Sequence, residues 1–261
     1  MAKKQLQTEE KIYARPGRHD RIRTELSILA AMYDDIERLR VSHQVRLSHL
    51  KLDKNKFADN PIFTTVLKEL AQPQHTLDKV MAPYVKTHAT WTQFNVHVKG
   101  VGIHLLALVL GHIRDITPFT NVSKLWWLCG LAVVDGKAQR PVKGEPLNYN
   151  AKLKSILLGR VGSQFLKNAD PFARSLYDEY RAEYEKREPK GAHARALRKV
   201  VKLWVACLWN VWRESEGLPV TPHYAQSVLG HTSPPITWQS WVEFNQRSKL
   251  NGKVKHKKTA E

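Results

Sequence analysis

Hydrophobic residues recur at helical spacing along most of this chain. Ile22, Leu26, Leu29 and Tyr33 step by four and three residues, and the same register runs through 22–50. A pattern sustained over about four heptads favours a coiled coil or a helical hairpin over one isolated helix. Two interpretations stay open: an amphipathic helix packed on its own chain, and a coiled coil that joins copies of the chain into a homo-oligomer.

Proline and glycine divide the rest of the pattern into further elements. The apolar periodicity predicts helices at 62–71, 75–90, 103–113, 149–168, 171–188 and 193–215. Between Ala132 and Asn148, glycine and proline alternate with basic residues, which predicts a basic loop or a short hairpin. The fold class is therefore predicted to be mostly α, with few strands.

The predicted organisation has five segments. They are a flexible basic arm (1–19), a helical, coiled-coil-like arm (20–90), a larger helical domain (91–216), a Pro/Trp-rich extension (217–248) and a basic, disordered tail (249–261).

The excess of basic over acidic residues limits the classes of function that the chain could have. The 261 residues include 42 Lys and Arg against 24 Asp and Glu, a formal net charge of +18. A hydrophobic content of 42% and eight tryptophans exclude a purely disordered basic tail, which would be poor in aromatic residues. A folded protein with this charge is most often a nucleic-acid-binding protein.

The cellular location follows from what the pattern lacks. No apolar run approaches the ~20 residues of a membrane span, and the first residues have no apolar signal core, so no membrane contact is expected. Cys129 and Cys207 offer neither a disulfide framework nor a Cys-rich zinc site. We therefore expect a reducing, cytoplasmic location.

No metal or cofactor is expected from the histidines. His97, His104 and His112 have a spacing that would suit one face of one helix, but Gly100 and Gly102 interrupt that helix. No carboxylate set suited to a two-metal nuclease is apparent either.

The sharpest local motif is Gly100-Val101-Gly102, preceded by Lys99 and placed between two helical stretches. Paired glycines allow a tight turn and a close approach of the backbone to a partner. The amides at the start of the next helix would favour a phosphate. The motif therefore predicts a helix-hairpin-helix element that binds nucleic-acid backbone, and the alternative is a tight turn between packed helices. A dinucleotide fingerprint is disfavoured, because no strand precedes the motif and the third glycine is missing.

Basic residues form the second candidate feature. The predicted nucleic-acid contacts are Lys99, Gly100, Gly102, Lys137, Arg140, Lys143, Lys152, Lys154, Arg195, Arg198, Lys199 and Lys202. Arg195, Lys199 and Lys202 follow the i, i+4, i+7 spacing of one helix face, opposite an apolar face. The alternative is an ordinary solvated helix surface.

Asp135 and His193 are weak candidates for catalysis. Asp135 lies in the basic loop ahead of Asn148 and Asn150, and His193 opens the basic helix. An enzyme acting on phosphodiesters would need such proton-transfer groups beside its cations. The pattern alone favours a structural role for them.

The stretch 99–131 resembles the C-terminal domain of the insertion sequence 110/116/902 transposases. In that family a Gly-x-Gly helix-hairpin-helix precedes a Gly-Asp-Ile-x-x-Phe turn and a helix that ends in Gly-Leu. The matching residues are Asp115, Ile116, Phe119, Gly130 and Leu131. Arg114 stands where the family's turn has its first glycine.

Later motifs follow in the order that the family has them. The matching residues are Asn150, Leu153, Asp170, Pro171, Tyr177, Arg181, His193, Ala196, Leu197, Arg198 and Lys199. The arm also resembles the family's coiled-coil region, so the resemblance covers 20–215. It implies a helical arm followed by a helix-hairpin-helix domain, DNA binding in transposition or recombination, and a structured guide RNA as a further partner.

Two departures bear on catalysis. The family begins with a resolvase-like nuclease domain, whereas only 19 polar residues precede the arm here, and the loop 132–146 has no serine where the family carries a proposed catalytic one. DNA strand transfer is therefore left open, and a divalent metal is expected only if a partner supplies the nuclease. The alternatives are a short active transposase using other residues, a catalytically inactive DNA- or RNA-binding protein derived from a transposase, and a protein whose basicity serves RNA alone.

Overall fold

The fold is mostly α, as the periodicity predicts. A computed structural model describes residues 20–52, 61–134, 136–221 and 236–258. The α-helices are α1 (Asp20–Leu52), α2 (Pro61–Lys86), α3 (Ile103–Ile113), α4 (Val122–Leu128), α5 (Ala151–Ser155), α6 (Gly162–Lys167), α7 (Pro171–Arg187), α8 (Ala192–Ser215) and α9 (Trp238–Lys258). Thr90–Phe94 and Ile156–Val161 are π-helical, and Asn95–His97 is a 3-10 turn. The basic loop contains a short antiparallel hairpin of β1 (Val133–Val134) and β2 (Lys137–Ala138).

The arm is an antiparallel helical hairpin of α1 and α2. Tyr84 donates a hydrogen bond to Glu25 over 2.8 Å, and Arg40 donates to Gln74 over 2.6 Å. Both helices also pack against α3. The arm is therefore attached to the rest of the molecule through the contacts of α1 and α2 with α3.

Pro73 does not end a helix, contrary to the prediction of separate helices at 62–71 and 75–90. A single helix, α2, runs through Pro73 and Pro83. A proline inside a helix removes one backbone hydrogen bond, but both prolines are exposed. The buried stripe of Gln74, Leu77 and Met81 packs on the other face. Tertiary packing outweighs the local proline signal here.

The first half of the 22–50 seam packs within its own chain. Leu26, Ala30 and Tyr33 are buried. Gly111 of α3 lies so close to α1 that a Cβ there would stand 2.6 Å from the Ala30 Cβ. Of the two interpretations of this seam, packing on its own chain describes its buried N-terminal part. Self-association through 22–50 stays a prediction for the exposed positions, such as Leu39.

Tryptophans from two helices form the centre of the core. Trp204, Trp209 and Trp212 of α8 are buried, and Trp241 of α9 packs its ring against Phe94 and other aromatic residues. The apolar helix α3, which has the bounds that the sequence predicts, is buried in the same core. The architecture is thus a helical core to which the hairpin arm is attached.

The last helix corrects the prediction of a disordered tail for 249–258, whereas 259–261 lie outside the described residues. Helix α9 continues through Lys258, so 249–258 are helical. The helix begins inside the Pro/Trp-rich extension and packs on α7 and α8. Its buried Trp241 and Asn245 explain the attachment, since both make contacts that the sequence alone does not reveal. The predicted flexible arm at 1–19 lies outside the described residues.

Candidate nucleic-acid interface

The Gly-x-Gly turn joins two different kinds of helix. A short π-helix and a 3-10 turn precede it, and α3 follows it. Gly100 has a φ of 92°, which favours glycine, and a Cβ there would stand 2.7 Å from the Gln164 carbonyl oxygen. Gly102 has an extended backbone, and a Cβ there would meet nothing within 4 Å. Gly100 is therefore required for packing, whereas Gly102 leaves the start of α3 open.

A buried carboxylate fixes the start of this turn. Asp170 Oδ2 accepts hydrogen bonds from the Lys99 backbone N–H over 2.8 Å and from the Asn245 side chain over 2.7 Å. Asp170 Oδ1 caps α7 by accepting from the Ala173 N–H, and it also accepts from the Trp241 indole. One side chain thus connects the Gly-x-Gly turn, α7 and α9, while the Lys99 side chain stays exposed.

Four predicted cations come together at the base of the short hairpin, and we call them the cationic cluster. They are Arg140, Lys154, Arg198 and Lys202. Arg198 donates to the Ala132 carbonyl over 2.8 Å and to the Gly130 carbonyl over 3.5 Å. Its position on α8 therefore holds the hairpin against the helical core.

Aromatic faces support two of these cations. The Lys154 Nζ lies 4.5 Å from the centre of the Tyr149 ring and donates to the Gln139 carbonyl over 2.5 Å. The Lys202 Nζ lies 4.1 Å from the centre of the Trp126 ring. Cation–π contacts of this kind hold a lysine in place without neutralising its charge.

A glycine allows these groups to meet. Gly130 has a φ of 64°, and a Cβ there would stand 2.7 Å from both Lys154 and Tyr149. The end of α4, predicted at Gly130-Leu131, therefore turns back with a left-handed residue that also leaves room for the cluster.

The electrostatic environment of the cationic cluster disfavours positive charge. Burial, and then the charge of Arg198, lowers the pKa of Lys202 to about 8. Burial, followed by the charges of Arg198 and Arg140, lowers the pKa of Lys154. Burial also lowers the pKa of the Arg198 guanidinium. Among the described residues, no carboxylate forms a salt bridge with any member of the cluster. An anion at this place would relieve the repulsion.

Three other predicted contacts are paired with acidic residues instead. Lys152 lies 3.1 Å from Asp34 of the arm. Arg195 forms a salt bridge with Glu188. Lys199 lies 3.9 Å from Glu183, with its Nζ over the Tyr180 ring. The face that Arg195, Lys199 and Lys202 share on α8 is therefore divided, and only Lys202 belongs to the cationic cluster.

The hairpin and the loop after it extend the positive surface outward. Lys137 and Lys143 are exposed, and residues 140–148 are exposed without exception. Gln139, at the base of the hairpin, is buried and accepts from the Ala132 N–H over 3.0 Å. A fixed base thus carries an exposed basic loop.

Only one of the two catalytic candidates, His193, lies in the part of the chain that the structure describes. Asp135 lies outside the described residues. His193 Nδ1 lies 2.6 Å from the Tyr177 hydroxyl, which also accepts a hydrogen bond from Arg181 over 3.1 Å. None of the contacts described for His193 involves the cationic cluster. His193 therefore links α8 to α7, which fits the structural role.

Neither a metal-binding cluster nor a membrane-spanning helix is present in the described ranges. They contain no group of three or more His, Cys, Asp or Glu residues that could hold a metal ion. No helix in those ranges has both the length and the apolar character needed to cross a bilayer.

The supporting residues of the cationic cluster were missed by sequence reasoning. Trp126 contacts Lys202 and Gln139 contacts Lys154 across long stretches of the chain, so no local spacing reveals them. Tyr149 lies only five residues before Lys154, but that spacing alone does not show that the ring supports the ammonium group. The one signal that the sequence offers is aromatic residues near lysines in a basic chain.

Comparison with known proteins adds no relative. The chain matches no protein-family model, no curated protein and no solved structure.

Proposed function

We propose that this protein is a nucleic-acid-binding protein of transposase type, acting in DNA transposition or recombination. It contacts the nucleic-acid backbone through the cationic cluster and the exposed lysines of the neighbouring loop. A structured guide RNA is a further proposed partner. The sequence motifs between Lys99 and Lys199 support the transposase part of the proposal.

The observation that carries the binding proposal is a group of cations that have no acidic partner in the part of the chain that the structure describes. Burying part of a positive charge costs free energy unless an anion compensates it. The three inner members, Lys154, Arg198 and Lys202, are held by carbonyl oxygens and aromatic rings instead. Phosphate oxygens are acceptors that suit both guanidinium and ammonium groups. A phosphodiester is therefore the ligand that fits this charge arrangement best.

Removing two cluster charges tests the proposal. The variant Arg140→Gln with Lys154→Met keeps aliphatic stems in place. Its affinity for nucleic acid should fall, and the slope of log affinity against log salt should decrease by about two. The matched control, Lys68→Gln with Lys79→Met, removes two exposed charges from α2. Equal slopes for both variants would contradict the proposal.

Catalysis is a separate question with its own assay. DNA cleavage with and without a divalent metal distinguishes an active transposase from an inactive, transposase-derived binding protein. His193 contacts Tyr177 rather than the cationic cluster, so His193→Ala should leave binding unchanged. Competition between duplex DNA and structured RNA distinguishes the two proposed partners.

A further inference from the structure

Aromatic side chains accompany the cationic cluster. Trp126 lies under Lys202, and Tyr149 lies under Lys154. Trp127 follows Trp126 directly in α4. Cations that alternate with aromatic faces are typical of surfaces that bind the backbone and the bases of a single strand together.

Trp127 differs from every other tryptophan of the chain. All eight tryptophans lie in the described ranges, and Trp127, with 39% of its surface accessible, is more exposed than any of the other seven. An indole is a large apolar group that is favoured where it is buried on at least one face. Within the described ranges, Trp127 makes no ring contact and no cation–π contact. The accessible part of its indole can therefore contact a partner.

The exposed indole belongs to the same local structure as the cationic cluster. The Trp127 carbonyl accepts a hydrogen bond from the Gly130 N–H over 3.1 Å. The Gly130 carbonyl in turn accepts from Arg198. The Trp127 backbone is thus connected to the Arg198 guanidinium through Gly130, so Trp127 and the cationic cluster belong to the same end of α4.

We propose that this surface binds single-stranded nucleic acid, with an unpaired base stacked on Trp127 and the adjoining phosphates on the cationic cluster. The inference rests on the proposed function and narrows its ligand. In a duplex each base already stacks on its neighbours, so its flat face is closed to a side chain. An unpaired base can stack on an aromatic ring irrespective of its identity. The proposal covers a single-stranded segment of DNA or an unpaired segment of RNA.

The test compares strands and variants of the full chain. The probes are a fluorescent oligothymidine of about 15 nucleotides, the matching oligouridine and a blunt duplex of the same length. Trp127→Ala should weaken binding of the single strands by roughly 5- to 150-fold, the equivalent of one lost stacking contact. Duplex binding should change little. Trp127→Phe, which keeps an aromatic face, should retain most of the single-strand affinity.

Two controls keep the result interpretable. Phe244→Ala removes another exposed aromatic side chain, of 40% accessibility, on α9 and should leave single-strand binding intact. Tryptophan fluorescence should be quenched when the parent binds a single strand, and the Trp127→Phe variant should show less quenching, with Trp126 as the remaining indole beside the cationic cluster. Circular dichroism verifies that each variant keeps its helices.

The outcomes separate this inference from the proposed function. If Trp127→Ala binds single strands as tightly as the parent while both bind the duplex, the stacking proposal is overturned and backbone binding stands. If the parent binds none of the three probes, the proposed function itself fails. A single-strand loss as large in Phe244→Ala as in Trp127→Ala would also overturn the stacking role.

Discussion

The charge of Lys202 is expected to lower the stability of the fold and to raise the affinity for nucleic acid. Its ammonium group is largely buried over Trp126 and is repelled by Arg198. Residues placed unfavourably for stability are common where a ligand later supplies the missing interaction. The structure therefore predicts that stability and affinity respond in opposite directions when this charge is removed.

The variant Lys202→Met tests that opposition. Methionine keeps an unbranched chain over Trp126, so the free energy of unfolding at neutral pH should rise by about 1 kcal/mol. Affinity for nucleic acid should fall by roughly 10- to 150-fold, since a hydrogen bond to a charged group contributes about 1.5–3 kcal/mol. Urea unfolding and fluorescence anisotropy measure the two quantities. A variant less stable than the parent, with unchanged affinity, would assign Lys202 a packing role.

The pH dependence of that stability difference has a definite sign. Lys202 has a pKa of about 8 in the folded protein and an ordinary value of 10.5. Between these values the unfolded chain binds more protons than the folded one, so this group's contribution makes the parent more stable as pH rises. The excess in the free energy of unfolding of Lys202→Met over the parent should be greatest below pH 8 and should shrink towards pH 10.

Comparing parent with variant cancels the groups that titrate in the opposite sense. Burial raises the pKa of Tyr33 and of Tyr180 to about 12, so their contributions fall as pH rises above their ordinary value of 10.0. Urea unfolding of both proteins at several pH values measures the difference. An advantage that stays constant from pH 7 to pH 10 would contradict the lowered pKa of Lys202.

Among the elements, the Gly-x-Gly turn depends on a single side chain at the start of another helix. The sequence identifies Asp170 only as half of an Asp-Pro pair at a helix start. In the structure it accepts hydrogen bonds from Lys99, Trp241 and Asn245 as well as capping α7. The position of the turn is therefore linked to the attachment of α9.

Asp170→Ala should strongly destabilise the protein. It removes a helix cap, worth about 1 kcal/mol, and leaves three donors without their acceptor at about 1–3 kcal/mol each. A loss of at least ~3 kcal/mol is therefore expected in urea unfolding. Asp178→Ala on the same helix breaks only an exposed pair with Arg174 and should cost under ~1 kcal/mol. Similar losses in the two variants would refute the anchoring role.

Elements with strong local signals were predicted well. Helix α3 has its predicted bounds because a mostly apolar run follows a glycine turn. Local signals failed where distant contacts decide: α2 continues through Pro73 because its other face is buried. The start of α9 is anchored by Trp241 and Asn245, a contact with Asp170 that no local pattern contains.

The candidate site shows the same division. Single cations could be selected from the sequence, but their partners could not. Lys152 pairs with Asp34, and Arg198 binds carbonyl groups near Gly130, because the chain folds back over long separations. The arm illustrates the same limit: Leu26 is buried and Leu39 is exposed in one seam. Self-association stays a prediction, and its test has to change Leu39 rather than Leu26.

At the scale of the whole molecule, the positive charge is unevenly compensated. Glu183 of α7 neutralises Lys199, and Glu188, just after α7, neutralises Arg195. Asp34 and Glu37 of the arm neutralise Lys152 and Arg160. The cationic cluster and the exposed loop 140–148 have no such compensation among the described salt bridges. The protein thus has a local positive surface in addition to its overall net charge of +18.

Binding through that surface should depend steeply on salt and weakly on sequence. Each neutralised phosphate releases counterions, so 6–10 contacts would reduce affinity ~10³–10⁵-fold between 50 and 200 mM salt. Contacts to phosphate position a protein without reading bases, and stacking accepts any base. When log affinity is plotted against log salt concentration, two unrelated oligonucleotides should therefore give lines of similar slope and similar affinity. A salt-independent affinity would indicate another class of partner, and a large gap between the lines would indicate base-specific contacts beyond the cationic cluster and Trp127.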